Sequence, residues 1–171
     1  MERGPEAAVL VLVWGKPLHV LLERKSCKVV DRFSCDIAYP GGRIAPGETP
    51  VQTALREAWE EAWVKPSAVK VIGSLGVFQT MSKPVIHTEA IVGVPKGPID
   101  PRPMDPEVDA VFWADISAVG EPTEVNHPVR GSVRGVVLGK GLVLWGLSLR
   151  ITMRLKERVH ELEVLDLKQL P

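Results

Sequence analysis

The chain is poor in cysteine, in asparagine and in net charge. Its two cysteines, Cys27 and Cys35, match no zinc-binding spacing, and too few cysteines are present to complete one. Two unlinked small side chains are favoured over a disulfide, which remains the alternative because intracellular proteins of hyperthermophiles can be rich in disulfides. Asn126 is the only asparagine, and 15 prolines are present. Few thermolabile amides and many prolines are typical of proteins from thermophiles.

The balance of charge argues against one class of partner. Lys and Arg together number 21, as do Asp and Glu, so the formal net charge is zero. Binding to nucleic acid through bulk positive charge is therefore disfavoured. The longest apolar stretch, near 141–149, is far shorter than the roughly 18 residues of a membrane span, and 1–16 lacks a secretory signal pattern. We expect one cytoplasmic domain over 1–171, with neither nucleic acid nor membrane as a partner.

Hydrophobic periodicity predicts an α/β domain built around a mixed β-sheet. Strands are predicted at 7–13, 18–24, 69–80, 84–95 and 108–116, and a later hairpin turns about 139–141. The segments 25–38 and 95–107 lack regular periodicity and are predicted as connections. Apolar residues at helical spacing predict a C-terminal helix over about 144–162, whose exposed part could support a homodimer.

The first half of the chain contains one clear helix signal. Thr49 is a good N-cap, Pro50 suits the first helical position, and Gln52 stands three residues after the cap to complete a capping box. The helix is therefore expected to begin at about residue 50.

Three glutamates crowd the C-terminal half of this helix. Glu57, Glu60 and Glu61 stand at i, i+3 and i+4, so their carboxylates converge on one side. Like charges at this spacing destabilise a helix, and the helix dipole disfavours anions near its C-terminus. A solvated acidic face is the alternative, but three converging oxygen ligands suit Mg²⁺ or Mn²⁺, with waters and substrate phosphates completing the site. The spacing therefore predicts a metal site.

The stretch 42–64 resembles the Nudix box. In that motif a glycine, five residues, a glutamate and seven residues precede the run REUXEEXGU, in which U is a bulky aliphatic residue. Gly42 and Arg56 stand at the family's glycine and arginine positions, whereas Ala58 is small for U and Trp63 replaces the later glycine. The matching glutamates are Glu48, Glu57, Glu60 and Glu61.

This resemblance implies a Nudix-type α/β/α sandwich around the mixed β-sheet. It also implies a metal-dependent enzyme that hydrolyses a nucleoside diphosphate linked to another moiety. Glu57, Glu60 and Glu61 would be the ligands of Mg²⁺ or Mn²⁺, and Glu48 and Arg56 would pair to brace the loop and the helix. One glutamate of the box, or a carboxylate from a later loop, would act as the base. Candidates outside the box are Glu89, Glu107, Glu121 and Glu124.

The segment 21–42 resembles the signature that precedes the box in coenzyme A pyrophosphatases, with one residue inserted. This similarity implies cleavage of coenzyme A or a derivative to phosphopantetheine and adenosine 3′,5′-bisphosphate. The expected substrate-binding residues are Lys25, Arg32, Gly41 and Gly42. Lys25 and Arg32 would contact the 3′-phosphate or the pyrophosphate, with solvated loop side chains as the alternative. ADP-ribose and dinucleoside polyphosphates are alternative substrates, and a catalytically silent nucleotide-sensing module is the alternative that is not an enzyme.

Trp63 stands where the family has a glycine in a left-handed, helix-ending conformation. We expect the helix to continue past Trp63 and to be stopped by Pro66. The alternative is a left-handed Trp63 whose strain, roughly 1 kcal/mol or more, is offset by burial of the indole.

Overall fold

The structure, a computed structural model, describes residues 3–28 and 34–160. The strands are β1 (Ala7–Trp14), β2 (His19–Lys25), β3 (Ile37–Ala38), β4 (Gly41–Arg43), β5 (Val69–Gln79), β6 (His87–Pro95), β7 (Val108–Asp115), β8 (Thr123–His127), β9 (Gly131–Val137) and β10 (Val143–Trp145). The helices are α1 (Pro50–Ala62) and α2 (Gly146–Glu157), with short 3₁₀ turns at Pro66–Ala68 and Ile116–Ala118. Neither α1 nor α2 is long and apolar enough to cross a membrane.

The main sheet is mixed, as the sequence predicts. Its strand order is β3-β2-β1-β6-β5, with β4 also pairing with β1 and β7 with β2. Strand β1 runs parallel to β6 and antiparallel to β2 and β4, and the other pairs in the sheet are antiparallel. A smaller antiparallel sheet has the order β10-β9-β8.

Both faces of β1 are buried, which explains its continuous apolar sequence. Leu10 and Leu12 pack in the core on the α1 side, and Val11 and Val13 pack in the core on the α2 side. On the first side the sheet meets the alanines of α1, and on the second it meets leucine and isoleucine side chains of α2. The predicted α/β/α sandwich around a mixed sheet is confirmed.

Helix α1 begins where its capping residues predict. The Gln52 backbone N–H donates to Thr49 Oγ1 at 3.2 Å, and the Thr49 N–H donates to Gln52 Oε1 at 2.9 Å. The face toward the sheet is made of Ala54, Ala58 and Ala62, all fully buried. These small side chains let the helix axis lie close to β1. The helix then also lies close to β4, where Glu57 meets Gly42.

The end of α1 differs from the prediction at Trp63. The helix ends at Ala62, and Trp63 itself adopts the left-handed conformation with φ 59° and ψ 29°. The next residue, Val64, is 1% exposed and donates its N–H to Ala58 O at 3.2 Å, so the chain turns sharply to bury this side chain. The indole of Trp63 remains 43% exposed, so burial of Val64, and not of the tryptophan, offsets the strain.

The C-terminal region contains one more sheet than expected. The hairpin about 139–141 is confirmed as β9 and β10, but β8 is mostly exposed and polar, so no apolar alternation predicted it. Leu144 and Trp145, expected in the final helix, belong to β10, and the helix starts at Gly146. Helix α2 ends at Glu157, with Arg158 as its C-cap, before the expected end at about 162, which itself lies outside the described residues.

Cys27 and Cys35 form a disulfide, so the favoured expectation of two unlinked side chains is wrong. The cause is strand pairing: Arg24 lies opposite Ile37, and the N–H of Lys25 donates to Asp36 O at 2.8 Å. This antiparallel register carries the two cysteines to facing positions, with Cα atoms 4.5 Å apart.

We expect replacement of both cysteines by serine, Cys27→Ser with Cys35→Ser, to lower the free energy of unfolding by roughly 2.5 kcal/mol. The bond closes a loop with a sequence separation of 8, and the reduction in unfolded-chain entropy sets this magnitude. Urea unfolding without reductant measures the change. As a control, dithiothreitol should shift the wild type to the variant's midpoint and leave the variant unmoved; equal midpoints without reductant would contradict the assignment.

Candidate active site

An acidic cavity of about 390 Å³ opens beside α1, β2 and β4. Four carboxylates line it, two from α1 and two from the loop before β7: Glu57, Glu61, Asp105 and Glu107. Lys25 and Arg43 contribute the positive charges, and Gly41 and Gly42 form part of the wall without side chains. Apolar residues, among them Val9, Ile86 and Leu147, complete the lining.

Arg56 braces the segment from β4 into α1. Its guanidinium donates to Glu48 Oε1 at 2.7 Å, to Glu57 Oε1 at 3.1 Å and to Glu60 Oε2 at 3.2 Å. The hydrogen bond from Arg56, followed by one from Thr53 Oγ1, lowers the pKa of the Glu48 carboxyl. The predicted pairing of Glu48 with Arg56 is thus present, and the same guanidinium also contacts two later glutamates of the helix.

Glu61 is held at both carboxylate oxygens. Oε1 accepts the backbone N–H of Gly41 at 3.0 Å, and Oε2 lies 2.6 Å from Lys25 Nζ. Burial, together with the nearby charge of Glu23, raises the pKa of Glu61 to about 8. Burial alone would lower the pKa of Lys25, but its contacts with Glu23 and Glu61 outweigh burial and raise that pKa.

Glu57 lies directly against Gly42. A Cβ atom built on Gly42 would stand 2.5 Å from Glu57 Oε1, so any side chain at this position would displace the carboxylate. Burial and then the charge of Glu61 raise the pKa of Glu57. Two partly buried carboxylates on successive turns of α1 therefore face the same cavity.

These carboxylates fit a hard divalent cation, although the structure does not gather three of them. Within 3–28 and 34–160, no group of three or more acidic, histidine or cysteine side chains is close enough to hold a metal ion. Glu60 is turned to Arg56 and does not line the cavity. Mg²⁺ commonly binds one or two carboxylates and completes its shell with waters and substrate phosphates. Glu57 and Glu61 provide such a pair, and a cation would offset the burial and the repulsion by neighbouring glutamates that raise their pKa values.

The remaining predicted residues fall into three places. Gly41, Gly42 and Lys25 line the cavity, but Lys25 is engaged by Glu23 and Glu61. Arg32 lies outside the described residues. Of the four candidate bases only Glu107 lines the cavity.

The other candidate bases lie elsewhere. Glu89 accepts a hydrogen bond from Ser74, Glu124 accepts one from Ser132, and Glu121 is exposed in the loop before β8.

Two residues of the site were not predicted from the sequence. Asp105 sits in an irregular proline-rich segment that carries no periodic signal. Glu23 had a usable signal: it alternates with Leu21 and Lys25 in a strand, which puts all three side chains on one face. A charged residue two positions after a buried leucine, on the same face of a strand, indicates that a polar site lies at that end of the strand.

A second cavity of about 330 Å³ adjoins the first, and Lys25, Ala38, Thr80 and Leu147 line both. Its wall contains Asp36, Lys83, Arg130 and Trp145. Asp36 accepts hydrogen bonds from Arg130 Nη2 at 2.9 Å and from Trp145 Nε1 at 3.0 Å. The guanidinium of Arg130 lies over the Trp145 ring, 4.6 Å from its centroid, within the range of a cation–π contact. The pair gives this cavity an aromatic and cationic side.

Comparisons with known proteins agree on one family. Residues 4–134 match the family model described as the NUDIX domain. The chain is 30% identical over 169 residues to an uncharacterized Nudix hydrolase, NudL, of Yersinia enterocolitica, covering 90% of this chain and 81% of that protein.

Solved structures show a similar fold. The NUDIX domain of Shewanella oneidensis NrtR complexed with ADP ribose is similar with a TM-score of 0.60 and 19% identity, over 93% of this chain and 90% of that one. A C. elegans Ap4A hydrolase is similar with a TM-score of 0.54 and 20% identity, over 65% of this chain and 80% of that one.

We expect Gly41→Ala and Gly42→Ala to differ in their effect on stability. A Cβ on Gly41 would stand 2.4 Å from the backbone oxygen of Ala8, so β1 or β4 must shift, at a cost of about 2 kcal/mol or more. A Cβ on Gly42 would meet only the end of the Glu57 side chain, which can rotate away for less than about 1 kcal/mol. Urea unfolding of both variants measures the difference, and equal losses would contradict this placement of β4.

We also expect Glu61 to make the metal-free protein less stable as the pH rises. The pKa of its carboxyl is about 8 in the folded chain and about 4.5 as a reference value. Its stabilising contribution is therefore fully present below about pH 4.5 and is lost as the pH rises through 8. With a chelator present, the stability of the wild type relative to Glu61→Gln should fall between pH 5 and pH 8 by at most about 1.4 kcal/mol per pH unit. If the difference in stability between the wild type and Glu61→Gln stays constant from pH 5 to pH 8, the raised pKa of Glu61 is refuted.

Proposed function

Because this chain belongs to the Nudix hydrolase family, we propose that it hydrolyses the diphosphate bond of a nucleoside diphosphate joined to another moiety, with Mg²⁺ or Mn²⁺. The observation that carries the proposal is the acidic cavity, in which Glu57 and Glu61 of α1 line, together with Asp105 and Glu107, a space large enough for a small ligand. An acidic cavity repels a diphosphate unless cations balance the charge, which supports the need for a metal ion.

The carboxylates of α1 would hold the divalent ion. Glu57 and Glu61 are proposed as its ligands from the cavity wall, and Glu60 remains a third predicted ligand. When bound, the ion would neutralise the diphosphate oxygens, orient the diphosphate and lower the pKa of a bound water. Arg56 and Glu48 would keep α1 fixed against the preceding loop, so that the ligands keep their positions.

Glu107 is proposed as the general base. Among the four glutamates considered outside the box, it alone lines the cavity, and its loop is bonded to the end of α1 through the Met104 N–H, which donates to Glu61 O at 3.0 Å. The backbone fixes its place: the Ser26 N–H donates to Glu107 O at 2.7 Å, and the Glu107 N–H donates to Asp105 Oδ1 at 2.7 Å. From there it would accept a proton from the water that attacks phosphorus.

Coenzyme A or a derivative is proposed as the substrate, with phosphopantetheine and adenosine 3′,5′-bisphosphate as the products. Two observations support it: the resemblance of 21–42 to the coenzyme A pyrophosphatase signature, and the second cavity beside the first. A substrate with its diphosphate in the first cavity and a charged or aromatic group beyond it would occupy both cavities. Lys83 supplies positive charge, and Arg130 together with the Trp145 ring beneath it supplies a cationic and aromatic side.

ADP-ribose and dinucleoside polyphosphates are the second candidate substrates. The observation in their favour is the fold shared with the NrtR NUDIX domain complexed with ADP ribose and with the Ap4A hydrolase. A catalytically silent sensing module is disfavoured because the box glutamates are retained, and a binder has no need for that cluster.

Turnover of a substrate panel tests the proposal directly. The protein is incubated with Mn²⁺ or Mg²⁺ and with coenzyme A, ADP-ribose or diadenosine polyphosphates, and nucleotide products are followed by chromatography. We expect coenzyme A to give adenosine 3′,5′-bisphosphate, and a chelator to stop the reaction. Preferred release of AMP from ADP-ribose would move the assignment to the second candidate. If no substrate gives product with the metal present, the proposal that this protein is an enzyme is refuted.

Glu61→Gln and Glu107→Gln separate metal binding from proton transfer. We expect Glu61→Gln to reduce kcat by about 100-fold or more and to weaken Mn²⁺ binding, with the fold retained. Glu107→Gln, the matched substitution across the cavity, should lower kcat by about 100-fold and leave Mn²⁺ affinity nearly unchanged. Isothermal titration with Mn²⁺ and steady-state kinetics provide both readings. A fully active Glu61→Gln would disprove its role as a ligand, and a fully active Glu107→Gln its role as the base.

A further inference from the structure

Glu23 is a fully buried carboxylate, 0% exposed, close to the proposed site. It stands between Leu21 and Lys25 on the face of β2 that looks toward α1, since alternate residues of a strand share a face. Leu21 packs in the core beneath α1, and Lys25 lines the cavity. The side chains on this face of β2 are therefore apolar beneath α1 and charged at the cavity. A carboxylate so placed is costly unless a cation compensates its charge.

Lys25 is that cation. Its ammonium lies 2.7 Å from Glu23 Oε1, and among the described residues no other cation pairs with Glu23. Within residues 3–28 and 34–160, no donor makes a hydrogen bond of good geometry to either carboxylate oxygen of Glu23. The position of the Lys25 ammonium is therefore set by charge attraction to a carboxylate that cannot reach solvent and that, among the described residues, pairs with no other cation.

The same ammonium fixes Glu61. Lys25 Nζ is 2.6 Å from Glu61 Oε2, and the N–H of Gly41 occupies the other oxygen. Glu61 comes from α1 and Glu23 from β2, so Lys25 joins the helix to the strand at the cavity wall. The Lys25 side chain is 22% exposed, and its charge is directed at two carboxylates of the protein itself.

We propose that Glu23 is a positioning residue that, by holding the ammonium of Lys25, fixes the carboxylate of Glu61 at the wall of the acidic cavity. Lys25 then serves the protein's own carboxylates and is not a contact for substrate phosphate. The proposal rests on the proposed function, in which Glu61 is a ligand of the divalent ion. It explains why a strand that packs beneath α1 carries a buried glutamate in place of another apolar residue.

Glu23→Gln tests the proposal, because it keeps the shape of the side chain and removes its charge. We expect the Mn²⁺ dissociation constant of the metal-free protein, measured by isothermal titration, to rise by about 10-fold or more. We expect kcat to fall by a similar factor, with KM changed by less than about twofold. A role in folding alone would lower the unfolding temperature and leave these constants of the folded protein unchanged.

Asp109→Asn is the matched control. Asp109, in β7, pairs with Arg24 of β2 at 3.6 Å, so the substitution removes an equal charge next to β2 from a pair that does not include Lys25. Its Mn²⁺ affinity and kcat should stay within about twofold of the wild type. A folded Glu23→Gln with wild-type Mn²⁺ affinity and kcat overturns the proposal, as does a variant Lys25→Met that raises KM alone.

The double variant Glu23→Gln with Lys25→Met decides the question if the single variant does not fold. It removes one buried charge of each sign, so no buried charge of the pair is left uncompensated. Because the net charge of the site is unchanged, a loss of kcat reports the loss of the Lys25 contact that fixes Glu61. We expect kcat to remain about 10-fold below the wild type, and wild-type kcat would overturn the proposal. If the wild type turns over no substrate, the proposed function fails, while the Mn²⁺ titrations still decide the role of Glu23.

Discussion

Compensation of the negative charge on α1 is the constraint on which the site depends. The helix carries Glu57, Glu60 and Glu61 near its C-terminus, where neither the dipole nor their mutual spacing favours them. One cation stands on each side: Arg56 binds the outer carboxylates and Glu48, and Lys25 binds the inner one. Each cation also ties α1 to another part of the chain. The charge that would weaken an isolated helix thus attaches this helix to β2 and to the loop before it.

The features that the sequence predicted well are local ones. The start of α1 follows from Thr49 and Gln52, which are three residues apart, and the Glu48–Arg56 pair lies within one loop and two helical turns. The contact of Glu61 with Lys25 spans 36 residues and depends on how β2 lies beneath α1. Spacing along the chain cannot supply that information. The alternation in β2 indicates which face Glu23 and Lys25 share, but not which helix covers it.

Two of the errors also have their origin in tertiary structure. The disulfide depends on the register of β2 with β3, which is set by pairing of segments with weak individual signals. The conformation of Trp63 depends on the burial of the following Val64, which outweighs the preference of a tryptophan for right-handed backbone. In both cases a neighbouring residue, and not the one under consideration, determines the outcome.

The parallel pairing of β1 with β6 determines when this site can form during folding. Residue 7 lies opposite residue 88, and no hairpin can make a parallel pair, so the centre of the sheet must wait for a distant part of the chain. Helix α1 and the β1–β2 hairpin depend on closer contacts and can form earlier. During synthesis, the acidic helix therefore emerges before the strand that completes the sheet beneath it. Until β6 has left the ribosome, the edge of β1 that pairs with it stays open, which makes that interval the period of greatest risk of aggregation.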